Sequence, residues 1–530
     1  MRRRNLGLRI WDLGFRIFRF HYLRGAGRGE RPFARRRSCR PLRLALFKVA
    51  SAALVFVFAF SVVRANEETA AAMEEIRVAV ERFVNARTAG STDDFLVAVA
   101  KVREMADAGQ TFFRFLLAVH AAQEPLCALS DEQRERYLNE GRPLIRAHAR
   151  ERNALAQYLV GLDCDLNLNQ PEEARDWYQQ AAAQGQALAQ NALGLIYYLG
   201  QGVPQDDDKA GEYFRQAALQ GDRNGEYNLA ALYAQGRGVP KDEGMAFVLY
   251  TRAAEKGHSS AMNNLGWLYQ EGRGTEKDLI AAANWYRRSA ESGNADGQFN
   301  YGFVCARGRG VPRNPREAGL WFARAANQGH TEAQVNIGLL YRDGDGVKQD
   351  NRRALTWFAR AAEKRHAMAQ FFIGQMYEEG RGVPQDHERA FNWYTKAAEQ
   401  ANPRAVHALG TFHYRGIVVP KDYAQAEQHY RRAAEAGVPA AQNNLGMLYL
   451  RGEGVPQDHA LAAKWFKAAA DQGAASAAYN LATLYEYGRG VEMSHVRAVE
   501  LFKQAARQGH VGAAEWLFRN GYTSWGEKER

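Results

Sequence analysis

Four cysteines in 530 residues are too few for the dense disulfide framework on which small exported domains rely. Cys39 lies in the first 65 residues, which leaves Cys127, Cys164 and Cys305. They are read as unrelated buried thiols, with a Cys127–Cys164 bridge in an oxidising compartment as the alternative. Proline is also sparse, at 14 residues, and from residue 150 onward it keeps to the connections between apolar stripes. No stretch alternates apolar and polar residues as a half-buried strand does. Sheet architectures are thereby excluded and a helical chain remains. The apolar run Val49–Val63 is shorter than the ~20 residues that cross a bilayer comfortably.

The formal charge of +11 would suggest a nucleic-acid or anionic-membrane partner if it were spread along the chain. It is not. Residues 1–65 hold 16 of the 70 Lys and Arg against only Asp12 and Glu30, so positions 66–530 carry 54 basic and 57 acidic residues, a net charge of −3. Nucleic acid is excluded as the expected partner. The leader is ordered as a secretory signal is: an Arg-rich stretch from Arg35 to Lys48, the apolar run, then Val63-Arg64-Ala65 with small residues at the −3 and −1 positions. Cleavage after Ala65 and export to a periplasm or the outside are expected. The alternatives are an anchor through residues 49–63, the only setting in which membrane contact is expected, or the ER lumen in a eukaryote.

A period of 36 holds without insertion from about residue 174 to 510. Alanine recurs at every 36th position from Ala174 to Ala498, and a second alanine eight residues later from Ala182 to Ala506. Between them stands an aromatic that never fails: Tyr178, Phe214, Tyr250, Tyr286, Phe322, Phe358, Tyr394, Tyr430, Phe466 and Phe502. Offsets of four and eight put all three on one face of a helix, helix B. A second stripe, such as Leu265-Gly266 with Tyr269, precedes each loop and forms helix A. Its end is marked by a glycine, from Gly200 to Gly488, placed for a left-handed cap. An aspartate at 206, 242, 278, 350, 386, 422 and 458 is placed to cap the start of helix B. One such hairpin cannot bury its apolar face, whereas stacked hairpins bury a continuous core.

The recurring Ala, Leu-Gly, Tyr, Gly-x-Gly-Val-Pro-x-Asp, Ala, Trp-Tyr or Trp-Phe, Ala-Ala, Gly resembles the Sel-1-like repeat, a relative of the tetratricopeptide repeat, over roughly residues 150–515. The resemblance implies an all-α, right-handed α/α superhelical solenoid of about ten helix-turn-helix repeats that acts as an adaptor for protein complexes. The chain departs from the pattern locally. Arg365 and Ala401 replace the glycine between repeats, Val418 replaces the second loop glycine, and Cys305 and His413 replace the helix A tyrosine; the loop around 418 is the one placed in doubt. The expected organisation is a leader and signal peptide over 1–65, a helical cap or degenerate repeats over 66–150, the array over 151–512, and a capping helix and tail over 513–530. Within 66–150, amphipathic runs fall near 68–87, 93–107, 110–122 and 131–150, the last starting after Ser130.

No chemistry stands out. The Gly-x-Gly loops follow helices and lack Gly-Lys-Ser/Thr, so they are turns and not phosphate cradles. His258, His330, His366 and His510 share one register, but equivalent residues of stacked hairpins lie about 10 Å apart, too far for one ion without further ligands; they are read as polar residues of an exposed turn. Some relatives of the family have been described as β-lactamase-like, which makes a cell-wall-directed or β-lactamase-like hydrolase the alternative function. No serine has lysine three residues on, as that chemistry needs, and neither Gly-x-Ser-x-Gly nor His-Glu-x-x-His occurs. No catalytic residue, cofactor or metal is expected.

The function expected is therefore a non-catalytic scaffold of the cell envelope, binding partner proteins or extended peptide segments. In tetratricopeptide arrays helix A lines the concave surface, and projecting that register gives Asn191, Tyr198, Tyr227, Asn263, Trp267, Phe299, Phe303, Phe371, Tyr414, Asn443, Tyr479 and Tyr487. Asn228, Asn264, Asn300, Asn336, Asn444 and Asn480 lie beside it. Amides can clamp a peptide backbone while exposed aromatics supply contact area; packing against the next repeat is the other use for each aromatic. From the Val-x-Ala site, terminal sequencing of exported protein is expected to begin at Asn66. A retained Val49–Val63 segment in the membrane fraction would favour the anchored form.

Overall fold

The computed structural model describes residues 114, 115, 118 and 129–522. Among them lie 22 α-helices, one short π-helix (Cys164–Leu168) and no strand. The α-helices are α1 (Asp131–Arg150), α2 (Ala154–Asp163), α3 (Pro171–Ala183), α4 (Ala187–Leu199), α5 (Asp207–Leu219), α6 (Arg223–Gln235), α7 (Glu243–Glu255), α8 (Ser259–Glu271), α9 (Leu279–Glu291), α10 (Ala295–Arg307) and α11 (Pro315–Asn327), then α12 (Thr331–Asp343), α13 (Asn351–Glu363), α14 (Ala367–Glu379), α15 (His387–Ala398), α16 (Pro403–Arg415), α17 (Tyr423–Glu435), α18 (Pro439–Arg451), α19 (His459–Ala470), α20 (Ala475–Tyr487), α21 (His495–Arg507) and α22 (Val511–Arg519). The even-numbered helices from α2 are helix A of a repeat and the odd-numbered from α3 are helix B. The chain is an all-α solenoid whose consecutive helices pack on one another within each compact unit. It divides into two compact units, one ending at Ala325 and one beginning at Ala326. Each has its own core: Phe115 to Leu268 supplies the first, and Val335 to Leu517 the second.

One contact repeats in both units. The helix B aromatic is buried in every repeat, from Tyr250 at 4% exposed to Phe358 and Phe466 at 0%, and its ring lies against a helix A glycine in all but two of them, where Ala230 and Ala482 stand in that register. A Cβ on Gly194 would sit 2.5 Å from Phe214, one on Gly338 2.5 Å from Phe358, and one on Gly446 2.7 Å from Phe466. The absent side chain is what lets the ring in, and burying each ring stabilises the stack by about 1.5–3 kcal/mol. Alanines on either side, such as Ala354 and Ala361, are fully buried and hold the helices close. At the end of the array the register gives Phe518 in place of the glycine, 73% exposed.

The caps follow the sequence. Asp206 Oδ1 accepts from the Lys209 amide at 3.0 Å and Asp242 Oδ1 from the Met245 amide at 2.9 Å, and the five other aspartates of that register cap their helices in the same way. Every helix A from α4 to α20 ends on a glycine with φ between 62° and 73°. Ser130 opens α1 with a reciprocal capping box to Gln133. The amphipathic runs proposed before residue 129, the leader and Cys127 lie outside the described residues, save for Arg114, Phe115 and Ala118. Cys164 is buried and free.

At Val418 the turn keeps its shape although the glycine is gone: φ is +69°. Arg365 and Ala401 are likewise left-handed, at 61° and 58°. A β-branched residue pays most in that region, so Val418→Gly is expected to raise stability by about 1 kcal/mol, the relief of strain exceeding glycine's added chain entropy. Tyr286 offers a second test. Tyr394 donates to Glu378 at 2.5 Å and Tyr430 to Thr411 at 3.3 Å, but the Tyr286 hydroxyl is buried and finds no partner among the described residues. Since five repeats carry phenylalanine in the same register, Tyr286→Phe is expected to gain about 1 kcal/mol. Conversely, Ala362→Leu overpacks a junction that leaves Ala362 only 6% exposed and is expected to cost ~1–3 kcal/mol. Thermal melts of the three variants check all of these.

Candidate functional site

The helix A residues projected from the sequence separate into two groups. Asn191, Tyr227, Asn263, Phe299, Phe371, Asn443 and Tyr479 stand three residues before the seat, which is glycine except at Ala230 and Ala482, and their side chains point into the junction between repeats. Tyr227 lies 5.6 Å from Tyr250, Phe299 5.8 Å from Phe322, Phe371 5.7 Å from Tyr394 and Tyr479 5.6 Å from Phe502. Phe371 is 7% exposed and Asn191 4%. Packing against the neighbouring helix, the other use foreseen for these aromatics, is what they display.

The asparagines form a ladder. Asn228 donates to Asn191 Oδ1 at 2.9 Å, Asn300 to Asn263 at 2.8 Å and Asn480 to Asn443 at 3.0 Å, each spanning 37 positions. Asn264 bonds the Tyr227 hydroxyl, whose proton is held up to about 12 chiefly by burial, and Asn444 lies 3.0 Å from His407 Nε2. Asn336, 37 positions after Phe299, which has no polar atom to offer, donates to the Glu332 carbonyl of its own helix. These amides stitch repeats together, with an alternative partner already in hand wherever a peptide backbone would need them.

The second group, one to five residues past the seat, is Tyr198, Trp267, Phe303, Tyr414 and Tyr487, and here aromatics meet cations. Arg237 lies 4.3 Å over the Tyr198 ring and donates to its hydroxyl at 2.6 Å. Arg273 lies 4.9 Å over Trp267, Arg307 and Arg309 lie 5.8 and 5.7 Å from the Phe303 centroid, and Arg489 lies 5.6 Å from Tyr487. Tyr414 donates to Glu453 at 2.9 Å and accepts from Arg451 at 3.1 Å. Tyr198 is buried, Trp267, Phe303 and Tyr414 are partly buried, and Tyr487 is 63% exposed. This strip of aromatic faces edged by guanidiniums has the chemistry to hold apolar and acidic groups.

Two features escaped the sequence. The histidines at 258, 330, 366 and 510 are not turn decoration but N-caps of helix A: Nδ1 accepts from Ala261 at 3.1 Å, Ala333 at 3.1 Å, Ala369 at 3.3 Å and Ala513 at 3.1 Å. The signal was available, because Asp222, Asn294 and Asn402 stand in the same register. His258 also stacks on Tyr227 at 4.3 Å and His510 on Tyr479 at 4.4 Å. The other is a charged bracket: Lys256 donates to Glu226 at 2.8 Å and to the Gly221 carbonyl at 2.9 Å, while Arg223 donates to the Lys256 carbonyl at 2.7 Å. Burial pushes Asp222 beside it up to about 6. Among the described residues no three His, Cys, Asp or Glu are placed to hold a metal ion, and no helix is long and apolar enough to cross a membrane.

Compared with known families, the chain matches the Sel1 repeat model ten times, over residues 153–186, 187–222, 224–258, 259–294, 295–330, 331–366, 367–402, 403–438, 439–473 and 475–510. Among solved structures it is similar to c5321, described as a protective antigen present in uropathogenic Escherichia coli strains displaying an SLR fold, with 31% identity, a TM-score of 0.63, and 79% of this chain and 89% of that chain covered. A Sel1 repeat protein from Oxalobacter formigenes is 35% identical, covering 58% of this chain and 90% of its own, with a TM-score of 0.48. No curated protein matches.

The His258 cap gives a pH prediction. Burial, helped by Arg223, lowers its pKa to about 3, and a neutral Nδ1 is needed to accept from Ala261. A folded pKa below the unfolded value of about 6.5 means the contribution is intact above that pH and lost as pH falls from 6.5 toward 3. Relative to His258→Asn, which keeps the cap, wild type is expected to lose on the order of 2 kcal/mol between pH 7 and pH 4 in denaturant melts.

Proposed function

Because the chain belongs to the Sel1 repeat family, we propose that it is an exported, non-catalytic scaffold that holds an extended segment of a partner protein along its helix A face. Sel1 repeat proteins are generally protein-interaction scaffolds, and the solenoid is typical of scaffolds that carry no chemistry. The observation that carries the finer reading is the strip of partly open aromatics, Trp267, Phe303 and Tyr414, each edged by arginine. Aromatic faces with flanking guanidiniums supply contact area at small entropic cost together with charge selectivity. The junction residues Asn191 and Phe371 hold the frame on which that strip is displayed. Export rests on the leader, with its basic stretch, short apolar run and Val-x-Ala site, and the description of the E. coli relative as a protective antigen is in keeping with it.

The double variant Trp267→Ala, Phe303→Ala tests the face. Both residues lie outside the aromatic-on-glycine contact, so helical content by circular dichroism is expected to stay within a few per cent while capture of envelope proteins by the immobilised chain falls about tenfold or more. Unchanged capture by the folded variant would move the binding surface to the loops or to residues 66–150. Turnover of cell-wall fragments or β-lactams by the purified chain would replace the scaffold with a hydrolase.

A further inference from the structure

The loop after each helix A crosses the first turn of the preceding helix B, and the crossing is nearly constant. A Cβ on Gly238 would fall 2.0 Å from the Asp207 carbonyl oxygen, one on Gly274 2.1 Å from that of Glu243, and one on Gly310 1.9 Å from that of Leu279. The arginine between the two loop glycines is therefore delivered to the same place three times in the first unit. In two of them it closes a clamp. Arg237 donates to both Asp207 oxygens at 2.9 and 2.7 Å, and Arg273 pairs with Glu243, pulling that carboxyl down to about 2. In the third, the residue in the position of Asp207 and Glu243 is Leu279. Arg309 has no ion pair and no side-chain hydrogen bond among the described residues, and neither has Arg307 beside it. Both are exposed, and both face the ring of Phe303, which lies 6.3 Å from Phe299. From Phe299 to Arg316 the chain carries four arginines and no acid.

We propose that Arg309 and Arg307, with Phe303, form the acceptor for a carboxylate of the partner segment, an acidic side chain or a chain terminus next to an apolar residue. The inference rests on the scaffold reading above and names its ligand chemistry. The guanidinium fork that closes the clamp in two repeats is left with its donors unused in the third, and a carboxylate is the group its geometry pairs with bidentately. The phenyl face holds the arginines in place through cation–π contact and offers an apolar seat to the neighbouring residue. A polyanion is the less suited ligand, since the chain after residue 65 is net −3.

Leu279→Glu tests this without damaging the fold, because it restores in cis the acid that the two preceding repeats possess. A phage-displayed library of random twelve-residue peptides is selected on the full chain, and the enriched peptides are measured by fluorescence anisotropy. The expected result is enrichment of Asp, Glu or a free terminus next to an apolar residue. Leu279→Glu and Arg309→Gln are each expected to weaken binding about tenfold or more, with the melting temperature unchanged or, for Leu279→Glu, raised. Peptides that bind through Phe303 but show no acidic preference, or that bind Leu279→Glu as tightly as wild type, would overturn the carboxylate site and leave the face intact. Displacement by sodium tripolyphosphate or single-stranded DNA as strong as by the acidic peptides would make it a polyanion site instead. If no selected peptide loses affinity on Phe303→Ala, or none is selected at all, both the acceptor and the helix A face are overturned.

Discussion

The array depends on a ring that lies where a side chain is missing. Each helix B aromatic is buried against a small residue in the seat register of helix A, which is alanine at Ala230 and Ala482 and glycine in the other repeats, and a Cβ at that glycine would stand 2.5–2.9 Å from the ring wherever Gly194, Gly266, Gly302, Gly338, Gly374, Gly410 or Gly446 supplies the seat. Such a contact tolerates almost no slip along either helix, because packing at interior density leaves no spare volume. The period follows from it. A residue added to a loop would rotate the next aromatic by about 100° off its seat, and so the spacing runs without insertion from the Ala174 repeat to the last. The second loop glycine belongs to the same constraint. Bringing the chain back in step forces the loop to pass within van der Waals contact of the preceding helix B, where Gly238, Gly274 and Gly310 have room for a hydrogen and nothing more.

A repeated constraint is easy to read from one sequence, because every repeat testifies to it. The aromatic register, the flanking alanines, the capping aspartates and the left-handed glycines each recur with a reason at each recurrence, and all were legible. What the period hides is who touches whom. It says that Asn228 and Asn264 are equivalent, but not that each reaches back 37 positions to the residue three before the seat in the preceding repeat. A single exposed-looking stripe on helix A therefore merged two populations: the junction residues Asn191, Tyr227, Phe299 and Phe371, and the residues past the seat, Trp267, Phe303 and Tyr414. The histidines differ from the expected exposed turn for a related reason. Four histidines alone do not state the chemistry of their register, whereas its full membership, with Asp222, Asn294 and Asn402, does: each offers an acceptor to an amide three residues on.

Val418 shows how little a single departure weighs against such a frame. Sequence reasoning places the loop in doubt because a β-branched residue resists positive φ. The fold imposes it nonetheless, since the helix on either side is fixed by its own ring and seat, and a local cost of about 1–2 kcal/mol cannot outweigh two buried aromatics. Strain here marks where the frame is strong, not where function lies.

The same reasoning bears on where an array can bind anything. A group that stitches repeats together is less available to a partner, since recruiting it leaves its present mate unpaired, at a cost of about 1–3 kcal/mol where the mate is buried. The Asn191–Asn228 and Asn263–Asn300 pairs and the Arg237–Asp207 clamp are of that kind. Binding capacity accumulates instead where one member of a stitched pair has been replaced while the geometry that presents the other is kept. The loop crossing is the same at Gly238, Gly274 and Gly310, so the frame holds Arg309 in position whether or not an acid awaits it. A guanidinium already ordered over Phe303 has surrendered part of its rotamer freedom before any ligand arrives, which lowers the entropic cost of binding. In a solenoid, a break in the pairing pattern on an unbroken backbone is thus a more specific pointer to a ligand than exposure alone.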